Sequence, residues 1–111
     1  MSISFAITAY NEHEELQVLL NQLEQIAKSD DEIVIQLDSK ATPEVLSLVD
    51  QFINKDFKFT VKKCVFDLNN HFADFKNNLK SYCTKDWVFQ IDADETLSET
   101  FSRVIHEVLD A

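Results

Sequence analysis

The sequence predicts an α/β protein: a three-layer α/β/α domain built on a mostly parallel sheet. Two observations lead there. Segments of strand-like and helix-like apolar spacing alternate strictly along the chain, in the order β-α-β-α-β-α-β-α. Such alternation implies parallel strands, right-handed crossovers and helices on both faces of the sheet. In addition, polar clusters directly follow strands one, two and four, at the edge where open α/β sheets bind ligands.

Each element has its own signal. Ile3 to Thr8 is a short, mostly apolar strand. Asn11, with Glu14 three residues on, resembles a capping box. Leu16, Leu19, Leu20, Leu23 and Ile26 then recur at helical spacing, to about Lys28. Ser29-Asp30-Asp31 is a polar break. Ile33 to Leu37 is a second strand, apolar almost throughout, as strands buried on both faces are. After the loop Asp38 to Ala41, Thr42-Pro43-Glu44 starts a helix with a capping hydroxyl, a proline in the first position and an acid in the first turn. Val45, Leu46, Leu48, Val49, Phe52 and Ile53 give it a wide apolar face. Phe57 to Phe66 partly alternates and reads as a third strand, followed by a loop from Asp67 to His71. Phe72, Phe75, Leu79 and Tyr82 share a helical face. Trp87 to Ile91 is a fourth strand, ended by Asp92-Ala93-Asp94-Glu95. A last helix is expected from a Thr96 or Ser98 cap, with Phe101, Val104, Ile105, Val108 and Leu109 as its stripe.

The chain of 111 residues fits one domain, residues 1–111, with no repeat or linker. Glycine is absent, so turns that need positive φ fall to Asn or Asp, with Asn54, Asp56, Asn69 and Asn70 as candidates. Without glycine neither a P-loop nor a dinucleotide fingerprint can form. The net charge of −10 argues against nucleic acid and anionic membranes as partners, since both need basic patches. No apolar run approaches the ~18 residues of a membrane span, and the N-terminus lacks a signal-peptide pattern. Cys64 and Cys83 form no CxxC pair and have no histidine at a zinc spacing, so free thiols in a reducing cytoplasm are expected.

Asp92, Asp94 and Glu95 place three carboxylates in four positions after a buried strand. In an extended or turning segment Asp92 and Asp94 share a side. Two hard oxygen ligands then face one crevice, a set suited to Mg²⁺ or Mn²⁺. The plainer alternative is an acidic turn that complements the next helix dipole through Glu95. Asp38 ends a strand at the same edge and either accepts hydrogen bonds from a base or ribose, or caps local amides. Tyr10 either stacks on a base or packs at the rim. Lys76 and Lys80, one turn apart, either offset phosphate charge or stay solvated, and His71 is a further candidate ligand or acid. No Ser/His/Asp or Cys/His arrangement stands out.

Taken together, four blocks resemble the family 2 glycosyltransferases of GT-A fold, in particular the bacterial branch acting on lipopolysaccharide cores. Ile7-Thr8-Ala9-Tyr10-Asn11-Glu12 is similar to the family's first strand edge, and Glu32 to Ser39 to its second strand with a nucleotide-reading aspartate. Phe72 to Leu79 resembles the helix carrying a basic residue and an Asn, here Lys76 and Asn77. Trp87 to Glu95 resembles the strand that ends in the D-x-D motif. The resemblance implies a nucleotide-diphospho-sugar donor held by Thr8, Tyr10, Asn11, Glu12, Asp38, Lys76 and Asp92, with Asp94 and Asp92 on Mn²⁺ or Mg²⁺. It implies sugar transfer to an unknown glycan or other acceptor. Leu37 stands where the family carries a first acid, and the family's glycine in that loop is missing, which reduces the base and ribose contacts the resemblance supports. Family members continue well beyond the D-x-D motif, and the catalytic base lies in that second half. On this reading the chain is a truncated or minimal form, or half of a split or oligomeric enzyme, and the base is not in it. The alternative is a non-catalytic module that keeps the fold and binds nucleotide sugar, metal or a partner protein.

Overall fold

The computed structural model describes residues 2–69 and 71–95. The helix expected after Glu95, with its cap and apolar stripe, lies outside the described residues, as does Asn70. The described elements run β1 (Ile3–Ala9), α1 (His13–Ile26), β2 (Glu32–Asp38), α2 (Pro43–Ile53), β3 (Thr60–Phe66), α3 (Phe72–Ser81) and β4 (Trp87–Asp92). The strands form one sheet of order β3-β2-β1-β4, parallel at every pairing.

The topology follows from the hand of the crossovers. β1 to β2 and β2 to β3 step the same way, so right-handed connections put α1 and α2 on one face, where they touch. The third connection steps back across the sheet to β4, so α3 falls on the opposite face, against β1, β2 and β3. The strand order reverses between β1 and β4, and this is where an open α/β sheet leaves a crevice beyond its carboxyl ends.

The two faces differ in chemistry. Ile3, Phe5 and Ile7 of β1 and Ile33, Ile35 and Leu37 of β2 meet the leucines of α1 and Val45, Val49 and Phe52 of α2 in the main core. Full burial of each such side chain contributes roughly 1.5–3 kcal/mol. The alternate positions face α3, where Ala6, Val34, Cys64 and Leu79 form a smaller apolar cluster. The same layer holds buried polar groups. Glu32, 1% exposed, accepts from Ser4 Oγ at 2.6 Å, from Thr84 N at 2.7 Å and from Lys62 Nζ at 2.7 Å. Gln36 donates to the Phe75 carbonyl at 2.7 Å and accepts from Asn78 Nδ2 at 2.7 Å. The polar break before β2 also has a task, since buried Asp31 accepts from the Ile3 and Lys28 amides at 2.9 and 2.8 Å.

Several local expectations are corrected. Helix α1 is preceded by Glu12 rather than capped by Asn11, because Glu12 Oε1 accepts from the Tyr10 and Asn11 amides at 2.8 and 2.6 Å. The third strand starts at Thr60, not Phe57. Phe57 stacks on Phe59 at 4.9 Å and meets Phe52 at 4.7 Å, so these rings pack on the end of α2 instead of alternating in a ladder. On α3 only Phe75 and Leu79 are buried, whereas Phe72 and Tyr82 are exposed. At α2 the expected cap is present, with Thr42 Oγ1 accepting from the Val45 amide at 3.4 Å. Asn69, with φ 40°, is the one non-glycine residue in the left-handed region among the described residues, and Asn54 ends α2 in a right-handed conformation.

Candidate functional site

Asp38 and Asp92 end β2 and β4, and Thr8 is the last residue but one of β1. Strand register puts Thr8 beside Asp92 across one pair and beside Gln36 across the other, so all three carboxyl-end positions belong to the face that carries α3. Together with the first turns of α3 they border an open crevice of about 680 Å³. Thr8, Tyr10, Glu12, Asp38, Asp92 and Asp94 line it, and so does Lys76. Asn11 lies between two lining residues but is not among them; its amide is turned to Glu12.

The acidic turn is held by its own hydrogen bonds. Ala93 N donates to the Thr8 carbonyl at 3.0 Å, which carries the turn past the end of β1. Glu95 N donates to the Asp92 carbonyl at 2.9 Å, and Glu95 Oε1 accepts from the Asp92 amide at 2.9 Å. Glu95 is thus occupied in closing the turn, whereas Asp92 and Asp94 are exposed to the crevice. The Thr8 hydroxyl donates to Asp92 Oδ1 at 3.0 Å and orients that carboxylate.

Asp38 joins two loops. Its Oδ1 accepts from the Leu68 amide at 3.4 Å and the Lys40 amide at 3.5 Å, which draws the loop after β3 to the end of β2. The crevice therefore has a wall that sequence reasoning missed: Asp67, Leu68 and Asn69 of that loop, then Phe72 and Phe75 of α3, together with Lys40 in the loop after β2. The alternation rule itself was the available signal, because a loop after β3 must also lie at the carboxyl edge. Of the other sequence candidates, Lys80 and His71 do not line the crevice. Asn77 is exposed, and its neighbour Asn78 is the residue that turns inward to Gln36.

Five carboxylates face two lysines here, a net excess of three negative charges. Among the described residues no three acid, histidine or cysteine groups converge into a ready-made metal cage. Mg²⁺ and Mn²⁺ do not need one, since they take one or two carboxylates and complete their shell with water and phosphate oxygens. The donor set of Asp92 and Asp94 fits such an ion. The thiols are remote from this chemistry. Cys64 is pushed up to about 11 by burial, with the neighbouring Cys83 adding to the shift, and Cys83 is raised chiefly by burial, so both stay protonated at neutral pH. Both are free.

The parallel sheet, the helices on both faces and the crevice at the strand-order switch define an α/β domain of the GT-A type. Residues 4–111 match the model of glycosyl transferase family 2, and the chain belongs to that family. The fold is shared with solved structures of S. aureus TarS. Residues 1–349 of that protein align with a TM-score of 0.77 at 21% identity, over 99% of this chain and 33% of that one. The UDP complex of the same TarS fragment aligns at 0.77 and 22% identity, and its UDP-GlcNAc complex at 0.77 and 18%. The chain thus spans about a third of the TarS fragment. No curated protein matches the chain closely enough to count as a relative. No helix among the described residues is long and apolar enough to cross a membrane.

Proposed function

We propose that this chain is the donor-binding part of a glycosyltransferase, taking a nucleotide-diphospho-sugar in the crevice with Mn²⁺ or Mg²⁺ for transfer to a separate acceptor. The observation that carries the reading is convergence. Asp92, Asp94, Asp38 and Lys76 come from three different elements and all face one crevice at the strand-order switch. Family membership and the UDP and UDP-GlcNAc complexes of the TarS fragment support the donor class.

Asp94 is the principal metal ligand, because among the described residues no hydrogen bond holds its carboxylate, whereas Asp92 has one oxygen engaged by Thr8. When bound, the cation supplies Lewis-acid stabilisation of the departing nucleoside diphosphate. Lys76 adds a positive charge from α3, and Tyr10 and Phe72 offer aromatic surface. The acceptor is a glycan or another nucleophile. The free thiols agree with a reducing, cytoplasmic setting.

The test is metal-dependent binding. In thermal-shift and calorimetric titrations with Mn²⁺, at least one of UDP, GDP, CMP and ADP should stabilise the protein, and Asp94→Ala should abolish that response while leaving the circular dichroism spectrum intact. Failure of all four nucleotides to bind removes the proposal. Unchanged affinity in Asp94→Ala removes Asp94 from the metal site.

A further inference from the structure

Cys64 and Cys83 are the two cysteines of the chain, and the fold brings both to the small apolar layer between the sheet and α3. Cys64 lies on β3, where it is the register partner of Gln36 and shares with Lys62 the face toward α3. Cys83 follows the end of α3 and packs against the cluster of Ala6, Val34, Cys64 and Leu79. Contacts on both sides hold it there. Its own thiol donates to the Leu79 carbonyl at 3.6 Å, and Leu79 belongs to the same cluster as Cys64. Lys62 Nζ donates to the Tyr82 carbonyl at 3.4 Å, and Lys62 stands one strand repeat, about 7 Å, from Cys64. The Thr84 amide donates to Glu32 at 2.7 Å, so the residues on either side of Cys83 are fastened to β3 and β2. The Cys64 thiol makes only a long contact to Gln36 Oε1, at 3.6 Å, and that oxygen also accepts from Asn78 Nδ2 at 2.7 Å. Gln36 therefore stays paired if the thiol turns away.

We propose that Cys64 and Cys83 are a redox pair, which a peroxide converts to an intramolecular disulfide that ties the end of α3 to β3. The resting form is the dithiol, since both cysteines are free. Cys83 is half-buried and Cys64 buried, so Cys83 meets the oxidant first. Its sulfur, after losing a proton, attacks one peroxide oxygen; the O–O bond breaks, and the departing oxygen takes up a proton and leaves as water. Cys83 is then a sulfenic acid. The Cys64 sulfur, losing its proton, attacks the Cys83 sulfur; the S–O bond breaks and a second water leaves. Two thiols have lost two electrons and the peroxide has gained them. Burial keeps both thiols protonated at neutral pH, which slows the first attack and makes the pair answer to sustained oxidant. The bond closes a loop of about 20 residues and so restricts the unfolded chain. At its other end α3 brings Phe72, Phe75 and Lys76 to the crevice, so the bond firms that wall.

The experiment incubates the full chain with hydrogen peroxide and follows it without reductant. The mass of the monomer should fall by two hydrogen atoms, and peptide mapping should join the Cys64 and Cys83 peptides. The Tm should rise by about 5 °C, and amide exchange in α3 should slow. Dithiothreitol should reverse every change. Cys64→Ala and Cys83→Ser should each lose all of these responses. Cys83→Ser keeps a donor for the Leu79 carbonyl, so it remains a usable control if Cys64→Ala lowers stability. The pair is overturned if the thiols stay free, if oxidation stops at sulfinic acid, or if the disulfide joins two chains. It is equally overturned if the internal bond forms but neither raises the Tm nor slows exchange in α3, because the fold would then have to distort to close it.

Discussion

Glu32 is the residue where burial and charge meet most sharply. Burial alone would raise its carboxyl, yet Lys62, Ser4 and Thr84 together hold it at about 2, below the ordinary 4.5. A carboxyl lowered on folding adds stability that is fully present above pH 4.5 and is lost as the pH falls toward 2. Glu32→Gln should cost about 3 kcal/mol at neutral pH, since it takes the charge out of several short hydrogen bonds and removes the carboxylate paired with Lys62, leaving that ammonium the Tyr82 carbonyl. The gap between wild type and variant in urea-unfolding free energy should narrow between pH 4.5 and 2. A constant gap across that range would assign the loss to packing instead of ionisation. Nothing in the sequence marks Glu32, which reads as an ordinary residue before an apolar strand. Its partners lie 28, 30 and 52 positions away, and such distant polar matching leaves no periodic trace.

At the scale of elements, periodicity identified every described strand and helix, because the face toward α1 and α2 is almost purely apolar and repeats cleanly. It was less informative about the α3 layer. There polar groups do the docking, and a face of mixed character hides in the sequence; Phe72 and Tyr82 match the helical spacing yet stay exposed. The boundaries that slipped, at Phe57 and Asn11, were set by ring packing and by a backward-reaching Glu12 carboxylate, both tertiary or loop-specific effects. Gln36 shows what the polar docking accomplishes. It joins β2 to α3 through the Phe75 carbonyl and Asn78, and α3 in turn carries Phe72 and Lys76 to the crevice. Gln36→Leu should lower stability by about 1–3 kcal/mol, the cost of leaving buried partners unpaired. It should also raise amide exchange in α3 and weaken nucleotide binding, although residue 36 does not line the crevice. Normal affinity together with faster exchange would mean that α3 need not be held firmly for binding.

For the molecule as a whole, a net charge of −10 and an acidic crevice set the sign of its response to salt. The charge argues against nucleic acid and anionic membranes as partners from the sequence alone, and it makes any phosphate ligand a problem for local cations or a metal ion to solve. The crevice keeps that problem, since Lys40 and Lys76 face five carboxylates. A nucleoside diphosphate approaching without a divalent ion meets net repulsion, strongest where salt is low and the Debye length is about 30 Å rather than about 10 Å. In EDTA, residual UDP or GDP affinity should therefore rise as NaCl increases from about 0.01 to about 0.1 M, the reverse of a basic phosphate site. Under the proposal that Mn²⁺ binds Asp94 and Asp92, the ion would cancel most of that repulsion, and the dependence should flatten or change sign. Titrations at several salt concentrations, with EDTA and with Mn²⁺, read this directly. Affinity that falls with salt in EDTA would mean that the two lysines dominate the local field, and the divalent ion would then be an aid to binding instead of its condition.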